Sequence, residues 1–364
     1  MKLVASVVAA SLFMAPVLSV QPYLFAFGDG LSDSGNTVVQ DKNIPYWNNR
    51  MSNGPVWPEY AAYFSGLKLV NYAHNGSVID NAVISNFTGI KVGVPSLKEQ
   101  ISRFSATFKS ITTPELLANS TASITIGSND FKAISRLSLS NVIKVTFTVD
   151  AAIRSLISSV DTLHSLGFRN IVISTFPQPG DIPAALENNS TKGIFPSISS
   201  GVLSTGLVAK LHGLNIGYKD KDKFQSFSII DLHKVFSLFT YKDVMSVTNI
   251  QNTTAGCYNV DKNENLVSKC SNPKNYFFLD SAYPSATVHA VFGAIITEAM
   301  GSSKGFALSP SSVKSFVSKY NLGDVYSGSS STLNKNLVSA LQKNQYNMTA
   351  AESNYQKIIK DITP

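Results

Sequence analysis

Phe25-Ala26-Phe27-Gly28-Asp29-Gly30-Leu31-Ser32-Asp33-Ser34-Gly35-Asn36 opens as an apolar run and turns abruptly into Gly, Asp, Ser and Asn. Together with the two residues before it, the apolar part reads as a first strand, Tyr23 to Phe27, feeding a loop. Similar β-rich runs follow: Ser123 to Ile126 and Asn170 to Ser174 read as inner strands, and Ser226 to Ile230 as a later one. Helical patterns lie between them. From Ala151, apolar residues recur at Ile153, Leu156, Ile157, Val160 and Leu163, one face of a period of about 3.6 residues, and Gly167 supplies the stop. Thr287 to Met300 reads as another helix, ending at Gly301. Strands alternating with helices predict an α/β fold around a parallel sheet. Such sheets place ligands at the carboxyl ends of their strands. The loop after Phe27 and the turn Gly127-Ser128-Asn129-Asp130 both occupy that rim, so distant stretches can meet in one cleft.

A chain of 364 residues has room for one large α/β domain. Lys2, the apolar run Leu3 to Leu18 and the small residues after it read as a secretory signal peptide over 1–19, the run being short for a spanning helix. No later stretch is long and apolar enough to span a bilayer. The expected location is therefore extracellular, or a secretory-pathway compartment such as a vacuole. The main domain is expected over 20–301. Beyond Gly301 the composition shifts: Ser302-Ser303-Lys304-Gly305 and Gly328-Ser329-Ser330-Ser331 read as joints. Ser311 to Tyr320, Leu333 to Gln342 and Thr349 to Ile362 are candidate helices of a basic, Ser-rich extension over 302–364. Their apolar content is too small for a core of their own, so they are expected to dock on the main domain or to form a partly disordered arm.

The net charge is +7, and residues 301–364 hold seven lysines against three acids, so more than half of the excess lies in the tail. No dense Lys/Arg cluster appears, which argues against nucleic acid as a partner. Charged residues are only 15% of the chain, against about 25% in an ordinary domain. Seven N-x-[ST] sequons, at Asn75, Asn86, Asn119, Asn188, Asn189, Asn252 and Asn347, are candidate glycosylation sites. Cys257 and Cys270 are the only cysteines, and a secreted chain with two thiols this close is expected to join them. No histidine or second cysteine pair lies beside them, so no metal site is expected, nor any cofactor.

Four stretches in order resemble the blocks of the GDSL (SGNH) esterase and lipase family. The opening stretch resembles F-x-F-G-D-S-L-S-D-x-G-N with glycine, Gly30, in place of the reactive serine. Ser52-Asn53-Gly54-Pro55-Val56-Trp57-Pro58 and Asn71-Tyr72-Ala73-His74-Asn75-Gly76-Ser77 resemble the second block, with Gly76 matching its oxyanion glycine. Ile126-Gly127-Ser128-Asn129-Asp130 resembles the third, with Asn129 matching the oxyanion side chain. Cys270 to Asp280 resembles the approach C-x-N-P-x-x-Y-x-F-W-D. Asp280-Ser281-Ala282-Tyr283-Pro284-Ser285 then resembles the closing D-x-x-H-P-[TS] block, with Tyr283 in place of the histidine base. The resemblance covers roughly residues 23–300. It implies an SGNH-type three-layer sandwich with a central parallel sheet.

In an intact member serine attacks an ester carbonyl, histidine takes its proton, aspartate orients the histidine, and N–H groups hold the oxyanion. By that pattern this chain keeps Asp280 and the donors of Gly30, Gly76 and Asn129, and lacks nucleophile and base. Tyr283 is expected to fill the space left at Gly30 and to hydrogen-bond Asp280. Ser32 and Ser34 are weak substitutes for the lost hydroxyl. His289 and His74 sit in motif context, where packing and a loop position are the simpler roles. His164, His212 and His233 have none. Trp47, Trp57, Tyr46, Tyr60 and Tyr63 suit a sugar-binding face or, more simply, the core. Asn75 is notable because a glycan there would crowd the oxyanion loop.

The leading expectation is a secreted, glycosylated pseudo-esterase with a binding or structural role. The alternative is an active esterase working on acetylated carbohydrate or lipid esters by a substituted mechanism, and a third places function in the basic tail. The expected ligand is a carbohydrate or an ester, with protein partners or self-assembly through residues 302–364.

Overall fold

The computed structural model describes residues 21–347 apart from 42, 109–111, 138–141, 177, 187–193, 262, 264, 303–306 and 326–330. The expected leader, the paired sequons at Asn188 and Asn189 and the helix expected over Thr349 to Ile362 lie outside the described residues.

The strands are β1 (Tyr23–Gly28), β2 (Lys68–Asn71), β3 (Thr121–Thr125), β4 (Asn170–Ser174), β5 (Ser226–Ile230), β6 (Asn252–Gly256), β7 (Tyr258–Val260), β8 (Leu266–Lys269), β9 (Tyr276–Phe278) and β10 (Gln345–Asn347). Six of them form the central sheet in the order β10-β2-β1-β3-β4-β5, every pairing parallel. The first helices are α1 (Trp57–Ser65), α2 (Asn81–Thr88), α3 (Leu97–Phe108), α4 (Pro114–Asn119), α5 (Ser128–Ile134), α6 (Val142–Leu166), α7 (Pro183–Leu186) and α8 (Ile194–Gly217). They are followed by α9 (Leu232–Leu238), α10 (Lys242–Thr248), α11 (Ala286–Met300), α12 (Pro310–Lys319) and α13 (Thr332–Asn344). This is the α/β fold around a parallel sheet expected from the alternation of strands and helices, and the three-layer sandwich implied by the family resemblance.

Side chains along β1 alternate between two cores. Leu24 and Ala26 join the layer containing α1, α9, α11, α12 and α13, while Tyr23, Phe25 and Phe27 join α3, α4, α6 and α8. Both faces are covered, so the strand reads as an unbroken apolar run rather than an alternating one. Helix α6 starts at Val142, earlier than the expected Ala151. Its first turns hold exposed Ile143 and Phe147, and this breaks the apolar stripe that marks the rest.

The described part of the C-terminal extension is built into the domain. Leu308, Val313, Phe316, Val317, Leu322, Val325, Leu337 and Leu341 are buried in the same core as α1 and α11. Asn334 is fully buried and accepts the Tyr60 hydroxyl at 2.8 Å. Gln345-Tyr346-Asn347, a stretch without strand-like composition, pairs with Leu69-Val70-Asn71 and completes the sheet edge. The open donors and acceptors of β2 recruit it, which no local pattern in the sequence announces.

Among the described residues no helix is long and apolar enough to cross a membrane. Cys257 and Cys270 are disulfide-bonded, as expected, and join the ends of the β7–β8 ribbon.

Candidate active site

The turn that leaves β1 is shaped by Gly28, whose φ of +155° and distance of 2.2 Å from a built Cβ to the Thr125 carbonyl oxygen leave room for no side chain. Gln100 on α3 clamps it: its Oε1 accepts the Gly28 N–H at 2.9 Å and its Nε2 donates to the Gly28 carbonyl at 2.9 Å. Three residues beyond Gly30, Asp33 accepts the N–H groups of Gly35, Asn36 and Thr37, and that of Asn75 from the loop after β2 at 2.8 Å. Asn36 donates to the Asn71 and Ala73 carbonyls at 3.0 and 2.8 Å. The polar tail of the opening stretch thus exists to fasten two rim loops together. Nothing in its composition distinguishes that duty from a solvated turn.

Gly30, Asn75 and Tyr283, distant in sequence, meet at one point. A Cβ on Gly30 would lie 2.6 Å from Asn75 Oδ1, 2.8 Å from Tyr283 Cε1 and 2.9 Å from the Tyr283 hydroxyl. The expected filling of the space at Gly30 by Tyr283 is present. Its expected partner is not: the Tyr283 hydroxyl donates to Asn75 Oδ1 at 2.7 Å rather than to Asp280. The ring that reaches Gly30 carries its hydroxyl past Asp280, which takes other donors. Asp280 Oδ1 accepts the N–H groups of Ala282 and Tyr283 at 2.7 and 2.6 Å, and Oδ2 accepts the hydroxyl of Tyr46.

Tyr46, 234 residues away in sequence, is therefore the side chain that hydrogen-bonds Asp280. In the sequence Tyr46 suits only a sugar-binding face or the core, because no motif ties it to the closing block. Burial raises the carboxyl of Asp280 above its ordinary range, opposed by the Tyr46 hydroxyl and the two N–H donors. Burial, then the negative field of Asp29, Asp280 and Asp33, holds the Tyr283 phenol well above its usual value. It stays a protonated donor, unsuited to accept a proton near neutrality.

In the same loop as Asn75, Gly76 has a φ of +88°, and Asn129 at the start of α5 donates from Nδ2 to the Ser77 carbonyl at 3.0 Å. The two family-assigned donors are thus adjacent. Beneath them Asp29 and Asp130, only 1% and 3% exposed, are both raised to about 7, chiefly by burial.

The remaining candidates are buried or held by other groups, and the buried Ser34 Oγ has no hydrogen-bond partner. Ser32 is fully buried and accepts the Trp57 indole N–H at 3.1 Å, and Ser34 is 1% exposed. His289 is buried, its Nδ1 accepting the Trp57 N–H at 3.3 Å, and desolvation pushes it down to about 3. His74 Nδ1 faces the Tyr72 carbonyl at 3.0 Å, and His164 faces that of Asp222. His212 lies against Phe227. His233 Nδ1 pairs with Asp181 at 2.5 Å. Trp57 and Tyr60 are fully buried, whereas Trp47 is half-buried under the Arg50 guanidinium, 4.9 Å from its centroid. Among the described residues no group of three or more His, Cys, Asp or Glu could hold a metal.

Tyr283 and the Asn75 side chain of the Gly76 loop thus both lie against Gly30.

The family of GDSL-like lipase/acylhydrolases matches residues 24–296. A GDSL esterase/lipase of Arabidopsis thaliana is 24% identical over 72% of this chain and 82% of its own length. GDSL esterase/lipase 7 of the same plant is 28% identical over 50% of this chain, which spans only 61% of that relative. A third Arabidopsis relative, named inactive GDSL esterase/lipase-like protein 25, is 25% identical over 71% of this chain and 67% of its own. With a family match that runs from the second residue of β1 into α11, over the elements that form the cleft, the chain belongs to the GDSL-like lipase/acylhydrolase family.

Proposed function

We propose that this chain is a pseudo-esterase of its family, which has exchanged turnover for binding. The observation that carries the reading is the shared volume at Gly30: Tyr283 and Asn75 fill the place a nucleophile would need, and Asp280 is satisfied by Tyr46. In this reading Gly30, Gly76 and Asn129 are a donor cradle for a carbohydrate or ester ligand, and Tyr283 and Asp280 are structural. The relative named inactive shows that the family name accommodates such a member. The protein is read as secreted after loss of residues 1–19, with one domain followed by a basic extension. Asn86 and Asn119, both exposed, are the sequons best placed for glycan.

The test is hydrolysis of a chromogenic acetate by the purified protein and by a Gly30→Ser/Tyr283→His double variant. Turnover gained only by the double variant is the expected result. Robust turnover by the unaltered chain, after removal of contaminating esterases, defeats the reading.

A further inference from the structure

One fully buried side chain holds two of the loops that carry the cradle donors, and a buried hydroxyl passes that hold to the third. Gln100 on α3 has no exposed surface. Its Oε1 accepts the Gly28 N–H at 2.9 Å and its Nε2 donates to the Gly28 carbonyl at 2.9 Å, so the amide grips both backbone groups of the residue two before Gly30. The same Nε2 lies 3.0 Å from Ser77 Oγ and 3.1 Å from the Pro95 carbonyl, and its two N–H groups are shared among these acceptors. Ser77, the residue after Gly76, is also fully buried. Its hydroxyl accepts from Gln100 and donates to the Pro95 carbonyl at 2.7 Å, while its own carbonyl accepts the Asn129 side-chain amide at 3.0 Å. A continuous line of hydrogen bonds thus runs from Gly28 through Gln100 and Ser77 to Asn129. His74, whose carbonyl closes the turn over Asn75 and Gly76 by accepting the Ser77 N–H, donates its own N–H to the Gly28 carbonyl at 3.1 Å.

The line calls for glutamine at its centre. One atom must accept the Gly28 N–H while its neighbour donates to Gly28 and Ser77; an ionised carboxylate only accepts, and an ammonium or guanidinium only donates. Gly28, Gln100 and Ser77 are all buried, so a missing bond leaves a polar group unsatisfied out of reach of water. Asn129 has two amide N–H groups; the bond to Ser77 uses one and thereby fixes the direction of the other.

We propose that Gln100 is a positioning residue of the cradle: acting through Gly28 and Ser77, it sets the separation of the Gly30 and Gly76 N–H groups and aims the second N–H of Asn129, so that ligand affinity depends on a side chain that touches no ligand. The affinity half of the proposal rests on the reading of the cradle as a binding site given above.

The experiment compares Gln100→Met, which keeps the length of the side chain and removes its hydrogen bonds, with Asn334→Ala, which strands a buried hydroxyl in the core on the other side of the sheet. The backbone amide signals of Gly30 and Gly76 and the side-chain amide of Asn129 are followed by NMR while methyl acetate is titrated in. This probe is an uncharged ester, chosen because the carboxyls acting on Tyr283 disfavour an anion. In Gln100→Met all three signals are expected to shift, and methyl acetate should bind about tenfold more weakly, roughly the loss of one hydrogen bond. Asn334→Ala should lower the melting temperature and leave both the signals and the affinity as they are in the unaltered protein. Unmoved Gly30 and Gly76 signals in Gln100→Met, an unchanged affinity, or an equal loss of affinity in Asn334→Ala overturns the proposal. Ser77→Ala cuts the line at its middle and is expected to shift the Asn129 signal and weaken binding in the same direction; an unmoved Asn129 signal there overturns the proposal even where Gln100→Met does not fold. If methyl acetate binds no form of the protein while the three signals shift as expected, the positioning role stands and the reading of the cradle as a binding site falls.

Discussion

Tyr283 and Gly30 divide one volume between them: the phenol oxygen lies 2.9 Å, and ring carbon Cε1 2.8 Å, from where a Cβ on Gly30 would stand. Gly30 and Tyr283 are thereby physically coupled. Gly30→Ala with Tyr283 in place overpacks the site and should cost about 1–3 kcal/mol. The same change in a Tyr283→Ala background should cost much less, giving a favourable coupling in a double-mutant cycle read by thermal or urea unfolding. Additive costs would show that the two residues do not compete. For the same reason Gly30→Ser alone should be inert toward a chromogenic acetate.

Tyr46→Phe removes the hydroxyl that Asp280 accepts and leaves a buried carboxyl short of a donor. Such a loss costs about 1–3 kcal/mol. The carboxyl of Asp280 is already raised by burial, and Tyr46 is the first influence opposing that rise. Without it the ionised form is penalised further, so the variant should lose more stability near neutral pH than in mild acid. Equal losses at both values, measured by calorimetry, would mean that the phenol does not hold the carboxylate.

How far these relationships could be read from the sequence depends on their range. The strands Tyr23–Gly28 and Asn170–Ser174 announce themselves because both faces are covered and all positions but Asn170 are buried, most of them apolar. The disulfide followed from two cysteines and a compartment. Gly30 and Tyr283 were legible as departures from a motif, and the direction of the Tyr283 ring was half legible. The acceptor was not, because Asn75 looks like a sequon and its side chain enters the cleft only through the turn at Gly76. Tyr46–Asp280 and Asn334–Tyr60 span 234 and 274 residues and involve residue types with no fixed partner. Such contacts are set by tertiary packing, and a linear pattern carries no trace of them.

Of the two expectations for the C-terminal extension, docking or a partly disordered arm, its described helices meet the first and bury apolar side chains against α1 and α11. Truncation after Gly301 should therefore yield insoluble or unfolded protein rather than a domain without its tail. A milder probe is Asn334→Ala, which strands the buried hydroxyl of Tyr60 and should cost about 1–3 kcal/mol. A soluble truncated chain with a cooperative melt at the full-length temperature would return the extension to the status of an arm.

Stability should fall as pH rises across the mildly acidic range, and the sign follows from two opposing groups. Asp29 and Asp130 are raised from 3.8 to about 7. The folded state binds their protons more tightly than the unfolded chain, so their contribution is complete below the unfolded value and is lost as pH rises through about 7. His289 is lowered from 6.5 to about 3, and its contribution is present above 6.5 and lost as pH falls. Each shift is of the order of 4 kcal/mol at most, since one unit is about 1.4 kcal/mol. Two carboxyls outweigh one imidazole in the window they share, and Asp280, also raised, adds to the carboxyl side. Unfolding free energy should therefore decline by a few kcal/mol between about pH 4 and about pH 7. In an Asp29→Asn/Asp130→Asn double variant Asp280 and His289 are left to oppose each other, and the decline should vanish or reverse. A slope unchanged in that variant would mean that the two carboxyls ionise as freely in the folded protein as in the unfolded chain, and that burial beneath the cradle costs them nothing.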